Sequence, residues 1–260
     1  MKVEHVLSTR QFSDSHILQR LFDLALEMEK NVKSEKLFPV LQGKVMATLF
    51  YEPSTRTRFS FESAMHRLGG RVISTESAGH FSSATKGETL EDTIRITAGY
   101  SDVIVLRHPE EGAAARAADV SNVPVINAGD GAGEHPTQAL LDMYTVWREK
   151  GRVNNLTIIL MGDLLYGRTV HSLLHLLLLE KNNRIILVSP RNLSLPEKYK
   201  KELQEKNVFF EEHETLPEDL KDIDVLYITR VQKERFASIQ EYEKVKDCCI
   251  VDADVMARLP

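Results

Sequence analysis

At 260 residues the chain is long enough to bury a sizeable core, as one large domain or two small ones. Its composition, 42% hydrophobic and 27% charged, is that of an ordinary soluble globular protein, and a net charge of −5 argues against a nucleic-acid binder. Any anionic substrate must therefore be met by a local cluster of Arg and Lys inside an acidic molecule.

The N-terminus, Met1 to His5, carries no signal-peptide core. Residues 13–35 read as the first helix, with Ile17, Leu18, Leu21, Phe22, Ala25 and Met28 on one face. Lys44 to Tyr51 reads as a short buried strand, and Phe61, Ala64, Met65 and Leu68 recur at helical spacing after it. Between them, Pro53 pushes Glu52 out of helical geometry and places Ser54 at an N-cap. Arg71 to Thr75 is a second strand, and a polar loop runs from Ser77 to Gly87. Thr89-Leu90-Glu91-Asp92 opens a helix reaching about Tyr100, and Val103 to Arg107 is a buried strand ending in a charge. An Ala-rich helix (Gly112 to Val120), a strand (Val123 to Asn127) and a long helix (His135 to Lys150) follow.

The second half repeats the rhythm. Leu156 to Gly162 is a continuous apolar strand, as a parallel sheet covered on both faces requires. The turn Asp163 to Gly167 leads into an apolar helix ending near Lys181; its leucine run is broken by His175 and is too short to span a bilayer. Arg184 to Val188 is a strand, Ser194-x-x-Glu197 is expected to cap a charged helix to Asn207, and Val225 to Thr229 is a further strand. The two cysteines, Cys248 and Cys249, are neighbours, which disfavours a disulfide within the chain and points to a reduced, cytoplasmic protein. Alternating strands and helices with short loops make this an α/β protein of two domains, each a parallel sheet flanked by helices, with the active site in the cleft between them.

Polar residues fall at the ends of these strands: Ser54 to Thr57 after the first, Arg107 at the end of the third, His135 after the fourth. Arg168 follows the fifth strand, and Arg230 with Gln232 follows the Val225 strand. Parallel strands would gather such residues at one edge. Ser54-Thr55-Arg56-Thr57-Arg58 at a helix start combines unpaired backbone N–H groups, the positive end of the dipole, hydroxyls and a guanidinium, a phosphate cradle without a Gly-rich loop. His135 and Gln138 lie three apart at another helix start, behind Pro136. His171 and His175 have the spacing of a metal pair, but no third ligand is evident and the surrounding leucines favour simple packing. Asp163 to Gly167 lacks the glycine spacing of a dinucleotide turn.

The stretch Phe50-x-x-Pro53-Ser54-Thr55-Arg56-Thr57-Arg58-x-Ser60-Phe61-Glu62 resembles the carbamoyl-phosphate signature of the aspartate and ornithine carbamoyltransferases. His135-Pro136-Thr137-Gln138, Gly167 to Ser172, and Arg230-Val231-Gln232-Lys233-Glu234-Arg235 resemble further segments of that family, and the likeness covers nearly the whole chain. It implies a carbamoyl-phosphate-binding domain over 1–134, a linking helix over 135–150 and an aspartate-binding domain over 151–260. It also implies that Ser54, Thr55, Arg56 and Thr57 bind the phosphate, with Arg56 stabilising it as it leaves. Thr57, Arg107 and His135 would polarise the carbonyl oxygen, and Gln138 would hold the amide end. Arg168, Arg230 and Gln232 would grip aspartate, since a guanidinium suits a carboxylate and would repel an ornithine ammonium.

Ser82 and Lys86, in a loop resembling the family's mobile loop, would enter a neighbouring subunit's site, with Lys86 also reaching aspartate; a homotrimer is implied. The likeness leaves room for a separate regulatory chain and implies no metal, no cofactor and neither nucleic-acid nor membrane partners. After Ala253 to Leu259 nothing matches the family's His-Pro-Leu-Pro-Arg segment or its final helix, so the second domain is expected to be incomplete at its C-terminus. The rival readings are transfer to ornithine or a modified ornithine, and a non-catalytic binding protein derived from the enzyme.

Overall fold

The computed structural model describes residues 4–12, 14–34, 38–76, 87–231, 236 and 238–260. Residues Met1–Gln138 and Ala139–Pro260 form two compact units. In the first, the strands are β1 (Val45–Phe50), β2 (Arg71–Glu76), β3 (Val103–His108) and β4 (Val125–Asp130), and the helices are α1 (Ser15–Lys33), α2 (Thr55–Arg67), α3 (Leu90–Ala98) and α4 (Ala113–Val120). α5 (Pro136–Lys150) carries the chain across the boundary. The second unit holds β5 (Thr157–Gly162), α6 (Arg168–Leu177), β6 (Arg184–Val188), α7 (Glu197–Glu205), β7 (Phe209–His213), β8 (Val225–Thr229), α8 (Ile239–Glu243) and α9 (Ala253–Met256).

The first sheet runs β2-β1-β3-β4 and every pairing in it is parallel. Alternation along β1 covers both of its faces. Ala47 and Leu49 join Leu90, Ile94, Ala98, Ala113 and Ala117 in one core cluster, while Met46 and Phe50 join Met65 and Ala128 in another. The small side chains of Ala113, Ala114, Ala117 and Ala118, all buried, let α4 lie close against the strands. Phe50 is fully buried at the last position of β1, a burial that contributes about 2–3 kcal/mol and anchors the turn that follows it. The outer edge of β4 is occupied by the N-terminal segment: Val6 bridges Ile126 in parallel, donating to the Val125 carbonyl at 2.8 Å and accepting from Asn127 N at 2.8 Å.

The second sheet runs β7-β6-β5-β8, again all parallel. Ile159, Met161, Ile186 and Val188 line one face with Leu220 and Ile223, and α6 is buried from Val170 to Leu177. Two expectations are corrected here, and one strand was not foreseen. Ser194 does not cap the charged helix; it closes the 3-10 turn Arg191–Leu193, and Pro196 holds the N-cap of α7. α6 stops at Leu177 although leucines continue, because the chain turns through Asn182 at a φ of 59° to enter β6. Phe209–His213 is an edge strand that the periodicity did not reveal: its Phe-Phe-Glu-Glu-His sequence has neither an apolar run nor clean alternation.

Candidate functional site

Because β1, β3 and β4 are parallel neighbours, their carboxyl ends share one edge, and the chain leaves that edge at three places. After β1, the Tyr51 amide donates to Arg107 O at 2.9 Å, extending the pairing by one residue before Pro53 turns the chain. Ser54 is the N-cap of α2, but its side chain makes no capping bond. The first-turn amides of Thr55, Arg56 and Thr57 have no intrahelical acceptor, and Thr55 and Arg56 are exposed while Thr57 is half-buried. The two arginines of this turn differ. Arg58 is turned back toward the sheet, its Nη1 2.6 Å from Glu76 and its Nε 3.5 Å from Glu62. Arg56 is exposed in the same turn, and no acid among the described residues pairs with it.

β3 delivers Arg107. Its side chain is 15% exposed, its Nη1 donates to Ala128 O at 3.3 Å, and its Nε lies 3.6 Å from a Glu52 carboxylate oxygen. These contacts on two sides hold the guanidinium between the ends of β1 and β4. Next to it, His108 stacks at a tilt on Tyr51, with centroids 4.7 Å apart, and burial lowers its pKa. A neutral imidazole there adds no charge to the edge.

β4 delivers His135 through the loop Gly131 to Glu134. Gly131 has a φ of 51°, and a Cβ there would lie 2.6 Å from Glu111 N, so only glycine fits. Asp130 ties the loop down: its carboxylate accepts from Asn127 Nδ2 and Gly112 N at 3.0 Å each, and from Glu134 N at 3.3 Å. His135 is 6% exposed just before α5, and its carbonyl accepts from Gln138 N at 3.1 Å, closing the first helical turn. One sheet edge thus carries a helix N-terminus with three hydroxyls, from Ser54, Thr55 and Thr57, a guanidinium from β3 and a buried imidazole. Such a set can bind a phosphate and polarise a carbonyl oxygen.

In the second unit, β5 and β8 are neighbours with Gly162 paired to Thr229. Gly162 has a φ of 119°, and a Cβ there would lie 1.9 Å from Thr229 O, so glycine is what lets these two strand ends close up. Beyond them, Arg168 is the first residue of α6 and half-buried, and Arg230 follows β8 exposed. Asp163 is buried and accepts from Tyr166 N at 2.9 Å, shaping the turn before Arg168. Tyr227 donates to Asp142 at 2.9 Å, and burial raises its phenol pKa. His171 stacks on Tyr199, centroids 4.3 Å apart, with its Nε2 2.9 Å from Leu164 O; His175 lies 3.5 Å from Glu202. Both imidazoles are packing elements, and among the described residues no group of three or more His, Cys, Asp or Glu could hold a metal ion.

Ser82, Lys86 and Gln232 lie outside the described residues. Sequence reasoning missed Glu52, whose carboxylate lies against Arg107, and Asp130 and Glu134, whose carboxylates fasten the two ends of the loop before His135. An acid directly before His135-Pro136 was a visible signal for Glu134; nothing local marked its partners, Ser8 and Thr9. Among the described residues no helix is long and apolar enough to cross a membrane.

Comparison with known proteins agrees with this geometry. Residues 4–148 match the family described as aspartate/ornithine carbamoyltransferase, carbamoyl-P binding domain, and residues 154–260 match its Asp/Orn binding domain. The chain is 52% identical over 244 residues to the aspartate carbamoyltransferase catalytic subunit of Methanocaldococcus jannaschii, covering 94% of this chain and 79% of the relative. It is also 52% identical to the chloroplastic aspartate carbamoyltransferase of Arabidopsis thaliana, covering 98% of this chain and 65% of that one. Among solved structures, the M. jannaschii catalytic subunit superposes with a TM-score of 0.89 at 49% identity, covering 98% of this chain and 82% of the other. The Trypanosoma cruzi aspartate transcarbamoylase in complex with N-(phosphonacetyl)-L-aspartic acid gives a TM-score of 0.92 at 42% identity, covering 100% and 82%.

Proposed function

The chain belongs to the aspartate/ornithine carbamoyltransferase family, and from that premise we propose that it transfers the carbamoyl group of carbamoyl phosphate to the amine of L-aspartate, giving N-carbamoyl-L-aspartate and phosphate in de novo pyrimidine biosynthesis. What supports the reading is the parallel order of β1, β3 and β4: Thr57 lies in the first turn of α2 after β1, Arg107 near the end of β3, and His135 just after β4, all on the carboxyl side of one sheet. The phosphate of carbamoyl phosphate sits on Ser54, Thr55, Arg56 and Thr57, against first-turn amides that have no other acceptor in the helix. Its carbonyl oxygen faces Thr57, Arg107 and His135, and Gln138 holds the amide.

The aspartate amine attacks the carbonyl carbon, and the oxygen gathers negative charge in the tetrahedral intermediate. Three donors fixed in advance stabilise that charge without reorganising. The carbon–oxygen bond to phosphate then breaks, the proton given up by the attacking nitrogen passes to the departing phosphate, and Arg56 balances the charge on that group. Arg168, Arg230 and Gln232 bind the carboxylates of aspartate, and the guanidinium of Arg230 disfavours the ammonium of ornithine. In the assembly we propose, a homotrimer, Ser82 and Lys86 of a neighbouring subunit complete each site; the motif around them supports this. Two adjacent free cysteines fit a reducing compartment, and we assign the protein to the cytoplasm.

The test is phosphate release from carbamoyl phosphate by the purified protein, with and without aspartate. Aspartate-dependent release is expected. Binding of carbamoyl phosphate without any turnover would replace the enzyme reading with that of a binding protein.

A further inference from the structure

The loop from β4 to His135 contains Gly131 and Gly133, and a segment with two glycines does not hold a side chain in place by itself. Here it is held from outside. The Glu134 carboxylate is gripped by residues 125 and 126 positions away in the chain: Ser8 Oγ donates to one oxygen at 2.5 Å, and Thr9 N and Thr9 Oγ1 donate to the other at 2.8 and 2.7 Å. Thr9 is 1% exposed, so this grip lies inside the unit. The segment making it is itself anchored. Val6 is paired with β4, Asn127 Nδ2 donates to Leu7 O at 3.0 Å, and His5 Nδ1 accepts from Val125 N at 3.1 Å. Both ends of the loop are therefore fastened, Asp130 to the sheet side and Glu134 to the N-terminal segment.

From this we infer that Glu134 is a positioning residue for His135, and that Ser8 and Thr9 belong to the apparatus that holds the imidazole at the carbonyl oxygen. The inference rests on the proposed role of His135. The carboxylate accepts three bonds from a neighbouring segment and points away from its own loop, so its work is mechanical. With it removed, the loop keeps its bonds to Asp130 but loses its tie to the N-terminal segment, and the residue next in sequence is His135. A displacement of about 1 Å in such a group costs up to about a hundredfold in rate. A glutamine at this position would keep an oxygen for Thr9 and offer an N–H to Ser8 Oγ, so the tie survives loss of the charge.

The experiment is a double-mutant cycle on turnover, with Glu134→Ala, Glu134→Gln, Thr9→Val, His135→Ala and the Glu134→Ala/His135→Ala pair in the full chain. Glu134→Ala is expected to lower kcat by about ten- to a hundredfold with the KM for aspartate unchanged, and Glu134→Gln to restore most of the loss. On the His135→Ala background, Glu134→Ala should cost nothing further, because the group it positions is gone. A full, multiplicative loss in the double variant, or native kcat in Glu134→Ala, overturns the inference and leaves the proposed reaction standing. Native kcat in His135→Ala instead removes the role of His135 and this inference with it. Should Glu134→Ala fail to fold, Thr9→Val carries the test: it keeps the buried volume and one amide donor, and its kcat should fall several-fold on the native background and not at all on His135→Ala.

Discussion

The first turn of α2 presents two guanidiniums two residues apart, and the structure separates their work. Arg58 lies against Glu76 at 2.6 Å and Glu62 at 3.5 Å, with its own side chain 20% exposed. Glu62 in turn accepts from Ser74 at 2.6 Å and Thr48 at 3.1 Å, so Arg58 closes a polar network linking α2 to β1 and β2. Removing it takes away one good charge-assisted bond and one weaker contact in a half-buried setting, worth about 1–2 kcal/mol, while the two hydroxyls continue to satisfy Glu62. Arg56 is exposed and no acid among the described residues pairs with it, so Arg56→Ala should change stability by less than about 0.5 kcal/mol. Turnover should respond in the opposite order. Loss of a preorganised donor to developing charge costs about 2.7–4 kcal/mol, a hundred- to a thousandfold in kcat. Arg58→Ala, by contrast, should stay within about threefold of native. Urea unfolding and saturating turnover on both variants give the comparison. A stable, active Arg56→Ala beside an inactive Arg58→Ala would refute the assignment of the phosphate to the outward face of α2.

Three further outcomes follow from the geometry. Burial pushes the pKa of His171 down to about 4. The unfolded chain therefore binds a proton that the folded chain refuses between about pH 6.5 and pH 4; stability from this group is full above pH 6.5 and falls by about 3 kcal/mol as pH drops through that window. Urea midpoints measured from pH 7 to pH 4.5 should show that fall, and His171→Gln, which keeps a donor for Leu164 O, should flatten it. Gly162→Ala places a Cβ 1.9 Å from Thr229 O at a φ of 119°, and the second unit should lose more than about 3 kcal/mol, read as an early denaturation transition. The proposed reaction also predicts that N-(phosphonacetyl)-L-aspartic acid, the ligand of the Trypanosoma cruzi complex, raises Tm here and that Arg56→Ala reduces the rise; an unchanged Tm would count against the proposed site.

Seven of the eight strands were legible in the sequence, most of them as short apolar runs, since an inner strand of a parallel sheet covered on both faces has no solvent-facing side. The same logic failed for β7, an edge strand of mostly polar residues, and for the end of α6, where leucines run past the point at which the chain turns. Ser194 shows the limit of a cap motif: the spacing to Glu197 is right, yet Leu195 and Pro196 lie between it and the helix. Within the site, Ser54, Arg107 and His135 were visible because each stands at the end of a strand, and parallel topology then brings strand ends together without further information. The acids that orient them were not. Glu52 meets Arg107 where the ends of β1 and β3 lie side by side, and Glu134 meets Ser8 and Thr9 from more than a hundred residues away, a contact that exists only once the N-terminal segment has lain down along β4. Periodicity reports what a residue does for its own element and is silent about such long-range fastenings.

Which acceptor receives the carbamoyl group is tested most directly by a competition assay. The protein is given carbamoyl phosphate labelled in its carbonyl carbon together with equal aspartate and ornithine, and the labelled products are separated. Label in N-carbamoyl-L-aspartate, absent when aspartate is omitted and lost in Arg230→Ala, is the predicted result. Label in the carbamoylated ornithine would contradict the reading of Arg230 as a carboxylate grip.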